Sequence, residues 1–239
     1  MRRTIFHYFS KTQLILWGAS LLLISVCFVL FGGTGYLTLA ASLIGATSLI
    51  FNAKGNPFGQ LLSVVFSVLY GIISYSFHYY GEMITYLGMT APMALFSFVS
   101  WMRNPFCAGR AEVRVHHLRK KEVVLMLLVC AAVTWIFYYV LRAFHTANLG
   151  LSTLSVSTSF LAVFLTWRRS CFFALAYAAN DIILILLWIL ASFTDPAYRS
   201  VIVCFILFLV NDLYGFFCWR RMQKRQSGSA DRQRTGGIC

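Results

Sequence analysis

The chain has 239 residues, of which 59% are hydrophobic and only 11% are charged, and its mean hydropathy is +0.74. A soluble domain typically carries about 25% charged residues, so this composition excludes a soluble enzyme and a disordered protein. The net charge of +13 does not point to nucleic acid, because the basic residues sit between apolar runs and not along one face.

A bilayer core ~30 Å thick needs ~20 apolar residues in a helix. Eight such runs are predicted, near 12–31, 34–51, 57–79, 84–102, 122–144, 149–166, 171–193 and 199–219. They are too long and too uniformly apolar for barrel strands, and a helix satisfies its own backbone in lipid. The first run is full length with no cleavage pattern behind it, so it reads as a span and not a signal peptide. Eight crossings bring both ends of the chain to one side. Eighteen of the twenty Lys and Arg residues then fall on that side, and only Arg142 and Arg199 on the other. The positive-inside rule assigns both termini to the cytoplasm. The seven cysteines are scattered without a C-x-x-C pair, and read as small apolar side chains.

Segments 34–102 and 149–219 read as two versions of one three-helix unit. Each has a basic turn after its first helix, Lys54 in one and Arg168-Arg169 in the other, and each ends on a Trp-basic boundary at Trp101 and Trp219. The expected organisation is a tail and extra helix at 1–33, the first unit at 34–102, a loop and linker helix at 103–148, the second unit at 149–219 and a basic tail at 220–239. Three helices plus one linker give both units the same orientation, the parallel arrangement of SWEET-type transporters, in which the substrate site lies near mid-membrane.

Ionisable groups at membrane depth are costly and are functional candidates. Asp181 and Asp212 are deep in helices, and each follows an asparagine, Asn180 and Asn211. Tyr177, Asp181, Leu184 and Trp188 share a face by their spacing of three and four. Asn211 shares a face with Tyr214, and Asp212 with Gly215 and Trp219. Gln60, Ser63, Ser67, Tyr70 and Ser74 form a polar stripe on 57–79, and aligning the units sets Ser67 opposite Asp181. Asp181, Asn180, Tyr177, Trp188, Asn211, Asp212, Tyr214, Gln60, Ser67 and Tyr70 are therefore expected to hold a flat, partly polar, cationic ring compound. Aromatic faces stack on rings and attract cations, and carboxylates and amides bind hydroxyls. The small residues Thr38, Ser42, Gly45, Thr47 and Ser48 of one unit, and Ser152, Thr153, Ser155, Ser157, Thr158 and Ser159 of the other, are expected to serve close helix packing. Trp101 and Trp219 are expected as interface anchors, Pro92 as a helix bend, and His78, Tyr79, Tyr80 and Glu82 as an outer rim.

The stretch Tyr79-Tyr80-Gly81-Glu82-Met83-Ile84-Thr85-Tyr86-Leu87-Gly88-Met89 resembles the PnuC family of nicotinamide riboside transporters. So do Trp167-Arg168-Arg169, Asn180-Asp181 with Trp188, and Asn211-Asp212-Leu213-Tyr214-Gly215-Phe216 with Trp219. The resemblance runs from about 34 to 225. It implies a three-plus-one-plus-three helix transporter in a bacterial cytoplasmic membrane, older named a nicotinamide mononucleotide transporter. It further implies facilitated diffusion of nicotinamide riboside, trapping by a cytoplasmic kinase and supply of NAD synthesis, with no cofactor and with a homo-oligomer open. Related members are assigned to thiamine or riboflavin. The family motif Trp-x-x-Trp-x-x-x-Asp/Asn falls here on Ala174, Tyr177 and Asp181, so only the second aromatic is kept.

Two other classes stand beside the transporter. A membrane enzyme acting on a nucleoside would need a paired base and nucleophile or metal ligands, and no such set is visible at membrane depth. A retinal-type sensor needs an intramembrane lysine, and every lysine lies at an end or in a loop.

Overall fold

A computed structural model describes residues 8–30, 35–76, 79–107, 111–146, 148–193 and 198–234, with side chains through 228. Arg2, Arg3, His78 and Arg110, and the side chains of Arg232 and Arg234, lie outside the described residues. Among the described residues eight helices are long and apolar enough to cross a membrane. They are α1 Lys11–Leu30, α2 Tyr36–Ala53, α3 Pro57–Ser76, α4 Tyr80–Met102, α5 Lys120–Ala143, α6 Leu149–Trp167, α7 Phe173–Ser192 and α8 Arg199–Arg234.

Six helices close a ring. α2 packs on α3, α3 on α4, α4 on α6, α6 on α7, α7 on α8, and α8 returns to α2. α1 lies outside the ring against α2 and α8, and α5 lies outside it against α6. Both outer helices show apolar side chains to the surroundings, among them Leu22, Val29, Leu128 and Trp135. Lipid tails solvate such faces as well as a protein core does.

Two helix ends position the rest. α2 stops in a Schellman turn: Gly55 takes the left-handed conformation (φ 66°), its N–H donates to Asn52 O at 2.9 Å and Asn56 N–H to Phe51 O at 3.1 Å. Glycine adopts that backbone without a Cβ penalty. α6 stops in the same turn, with Arg169 at φ 56°, Arg169 N–H on Thr166 O at 2.9 Å and Ser170 N–H on Leu165 O at 3.0 Å. After the first turn Asn56 caps α3 through its side-chain oxygen on Phe58 N–H (2.9 Å). Pro57 fills the first helical position, where no N–H is needed.

Pro92, expected as a helix bend, sits beside a local change of helix type. It lies just after a π-helical stretch, Tyr86–Thr90, inside α4. A mid-helix proline cannot donate to the carbonyl four residues back and crowds it. One wide turn absorbs that fault, and the Thr90 hydroxyl donates back to Thr85 O at 3.3 Å. α8 also runs past the expected boundary at 219, as helix to Arg234. Its extension is held by a strap, residues 111–119, that crosses beneath the bundle. Gln226 donates to Val113 O (3.0 Å) and to Glu112 (2.8 Å), and accepts from Val115 N–H (2.8 Å). The strap also reaches both Schellman turns, through Val113 N–H on Gly55 O and His116 N–H on Arg169 O, each at 3.0 Å.

Candidate transport site

At mid-height the ring encloses a cavity. Its polar wall is Asp181, Asp212, Asn180, Asn52, Ser48, Ser63, Ser67 and Thr90, and its rings include Tyr177, Phe66, Tyr86, Phe173, Phe205 and Phe208. Among the described residues no Lys, Arg or His lines it. The free space is about 60 Å³, room for a few water molecules and less than the ~300 Å³ or more of a usual small-molecule site. In this conformation the surrounding side chains fill most of the site. Phe66 and Phe205 also border a second, smaller cavity lined by Tyr70, Trp188, Thr38 and Ser42, so these rings separate two compartments of one interior.

The close approach of α2 is what lets aromatic rings fill this level. A Cβ on Gly45 would lie 2.5 Å from the Phe208 ring, so only glycine admits that ring against the helix. Asn180 on α7 is held by α6: its Oδ1 accepts from Thr158 (2.9 Å) and Ser159 (3.0 Å). That fixes the turn carrying Asp181. The Asp181 and Asp212 carboxyls, from α7 and α8, line the same cavity. Asp181 Oδ2 and Ser67 Oγ are buried without a protein partner. Buried polar groups are nearly always hydrogen-bonded, and each exception asks for an explanation.

The sequence-predicted residues divide by level. Asp181, Asn180, Tyr177, Asp212 and Ser67 meet in the central cavity. Tyr70 and Trp188 meet in the smaller one, where the Trp188 indole donates to the Tyr70 hydroxyl at 3.0 Å. Gln60 does not line the cavity: it sits one layer toward the strap and donates to Asn52 Oδ1 at 2.8 Å. Asn211 turns away, with its amide on Ser20 Oγ of α1 (3.0 Å) and Leu207 O (2.7 Å), so it braces α8 to α1. Tyr214 faces a separate pocket at the strap end. The physical reason is that α8 is covered on several sides, by α1, α2 and α7, and helical spacing alone does not say which buried face looks on the cavity.

Three further expectations are corrected. Trp101 and Trp219 are not interface anchors: they are 1% and 0% exposed, with ring centroids 5.2 Å apart. Each indole crosses to the other half. Trp101 donates to Thr166 O (2.9 Å) and Trp219 to Asn52 O (2.8 Å), the same two carbonyls that close the Schellman turns. Glu82 is no rim residue either. It is 4% exposed, accepts from Ser155 Oγ at 3.2 Å and keeps Oε2 without a protein partner. The cavity's phenylalanines and Tyr86 were not singled out from the sequence, because aromatic residues inside apolar runs carry no polar signal. Asn52, a polar residue in the last turn of α2, was a signal that could have been read.

Chemically the site offers two carboxyls, an amide, hydroxyls and aromatic faces, with no opposing base. That set suits a cationic ring compound bearing hydroxyls.

The comparisons agree with a transporter. The Haemophilus influenzae nicotinamide riboside transporter PnuC is 22% identical over 191 residues, 80% of this chain and 81% of the relative. The Neisseria mucosa nicotinamide riboside transporter PnuC is 27% identical over 209 residues, 85% of this chain and 79% of the relative. A crystal structure of the vitamin B3 transporter PnuC superposes with a TM-score of 0.80 at 22% identity, covering 91% of this chain and 94% of that one, which establishes the fold. Residues 35–221 match the model of the nicotinamide mononucleotide transporter family, and with that match spanning the whole ring, the chain belongs to this family of multi-pass membrane proteins.

Proposed function

We propose that this chain carries nicotinamide riboside across the bacterial cytoplasmic membrane by facilitated diffusion, for NAD synthesis. The observation that carries the reading is the cavity in which Asp181 and Asp212 meet aromatic rings with no basic residue in the wall. A pyridinium riboside brings a fixed positive charge, a flat ring and hydroxyls. The mononucleotide adds a phosphate that two buried carboxyls repel, so the riboside is favoured over the phosphorylated form. Asp181, Asp212, Asn180, Tyr177 and Ser67 hold the substrate, and Tyr70 and Trp188 line its path on the side away from the strap.

The positive-inside rule sets the strap and both termini in the cytoplasm. There a kinase that phosphorylates the riboside would trap it. The two three-helix units, 34–102 and 149–219, move against each other around the site, as parallel repeats do in alternating access. Bilayer lipid solvates the exposed faces of α1 and α5.

Uptake of labelled nicotinamide riboside into liposomes holding the purified chain tests this. Uptake is expected to follow the substrate gradient, to be unchanged by a proton gradient, and to outpace thiamine, riboflavin and the mononucleotide. Asp181→Asn is expected to weaken it by about tenfold to a hundredfold, the worth of a charge-assisted contact. Uptake of thiamine or riboflavin alone would reassign the cargo, and no uptake of any of these compounds would overturn the proposal.

A further inference from the structure

A second pocket opens at the strap end, outside the ring, between α1, α2 and α8. Its volume is about 350 Å³, and its walls include Lys54, Arg221, Arg225, Tyr214 and Met222, with Glu112 of the strap. Among the described residues three cations face it against one acid, and that acid is already engaged. Glu112 pairs with Arg225 and accepts from Gln226 Nε2 at 2.8 Å. Among the described residues neither Lys54 nor Arg221 has a carboxylate partner.

Lys54 shows the consequence. Its ammonium donates to the Tyr8 carbonyl and lies 4.4 Å over the Tyr8 ring, partial compensation for lost water. Burial still pulls its pKa below the ordinary lysine value, against the smaller upward pull of Cys218 and Glu112 and alongside the downward push of Arg225. An anion beside it would remove that penalty. Arg221 and Arg225 are one turn apart on α8, so both guanidiniums flank the same opening. Guanidinium forks match phosphate oxygens in pairs. The pocket is larger than a bare phosphate needs, and Tyr214 and Met222 offer a wall for an organic remainder.

We propose that this pocket is a binding site for a phosphate ester, carried on a soluble phosphomonoester or on an anionic lipid headgroup. It is distinct from the transport site in sign as well as place: one wall is acidic and takes a cation, the other is basic and takes an anion. The two pockets share no lining residue. The site does not depend on which cargo crosses the ring.

The test uses the full chain in neutral detergent, with thermal unfolding followed against adenosine monophosphate and against short-chain phosphatidylglycerol. Sodium chloride at matched ionic strength and short-chain phosphatidylcholine are the controls. A saturable rise in Tm with either phosphate ester is expected. Arg221→Gln removes an exposed side chain with no carboxylate partner, and should weaken the response about tenfold. Arg103→Gln, a basic residue outside the pocket, should respond like the parent. A response to the nucleotide alone assigns a soluble ligand, and one to phosphatidylglycerol alone assigns a lipid. No saturable response to either, or the same response in Arg221→Gln as in the parent, overturns the proposal.

Discussion

The strap end and the mid-height cavity are both buried, both polar and both aromatic, yet they are finished differently. At the strap end the indoles of Trp101 and Trp219 each find a carbonyl, and Asn52 O and Thr166 O each serve a turn and an indole at once. At mid-height Asp181 Oδ2 and Ser67 Oγ find nothing in the protein. A satisfied group stabilises the fold, and an unsatisfied one costs stability until a ligand completes it. The indole layer is scaffold and the cavity is site, although orphaned atoms are not confined to mid-height: Arg169 Nε and Nη1 at the strap end are also buried without a partner. The contrast also explains why residue type alone misleads: tryptophan beside arginine at a helix end looks like a membrane anchor, and here it is the innermost core.

The largest test of this contrast is Trp219→Ala. Losing a fully buried indole typically costs about 3–5 kcal/mol, and Trp101→Ala should cost a similar amount because its environment is the same. Both are read as a lowered unfolding midpoint of the purified protein. A near-neutral result for either would break the comparison at its strap end.

A smaller effect of opposite character is expected at Ser67. Ser67→Ala removes a hydroxyl with no partner, so the unfolding midpoint should hold or rise slightly, while substrate affinity falls roughly two- to tenfold, the worth of one neutral hydrogen bond. A loss of stability with affinity intact would mean that the hydroxyl serves packing.

The smallest effect concerns pH. His116 in the strap lies 3.0 Å from Arg168 Nη2 and 3.0 Å from Glu122. Burial first, then Arg168, Arg169 and Arg119, push its pKa below the usual 6.5. The folded state thus binds its proton less readily than the unfolded state does. Its contribution is complete above about pH 6.5 and is lost as pH falls below that value. The unfolding midpoint should therefore drop slightly from pH 7.5 to pH 5.5, and His116→Gln should flatten that drop. An unchanged slope in the variant would remove the strap histidine from the account.

Eight spans were legible because twenty apolar residues in a row have one comfortable solvent, and the family was legible in the Asn-Asp pairs and the Tyr79–Met89 stretch. Asp181, Asn180, Tyr177, Asp212 and Ser67 could be read as inward-facing because an isolated polar group in lipid must turn to the protein. The sequence by itself thus determined the number of crossings and which side chains shun lipid. It did not determine what each inward group meets. Asn211 and Asp212 are adjacent polar residues of similar size, and one reaches Ser20 of α1 while the other lines the cavity with Asp181. Glu82 reads as a rim acid and is buried against Ser155. Only the closed ring, with α1 laid outside it, decides these partners, because in a bundle covered on several sides burial is set by which helices arrive and not by the period of any one of them.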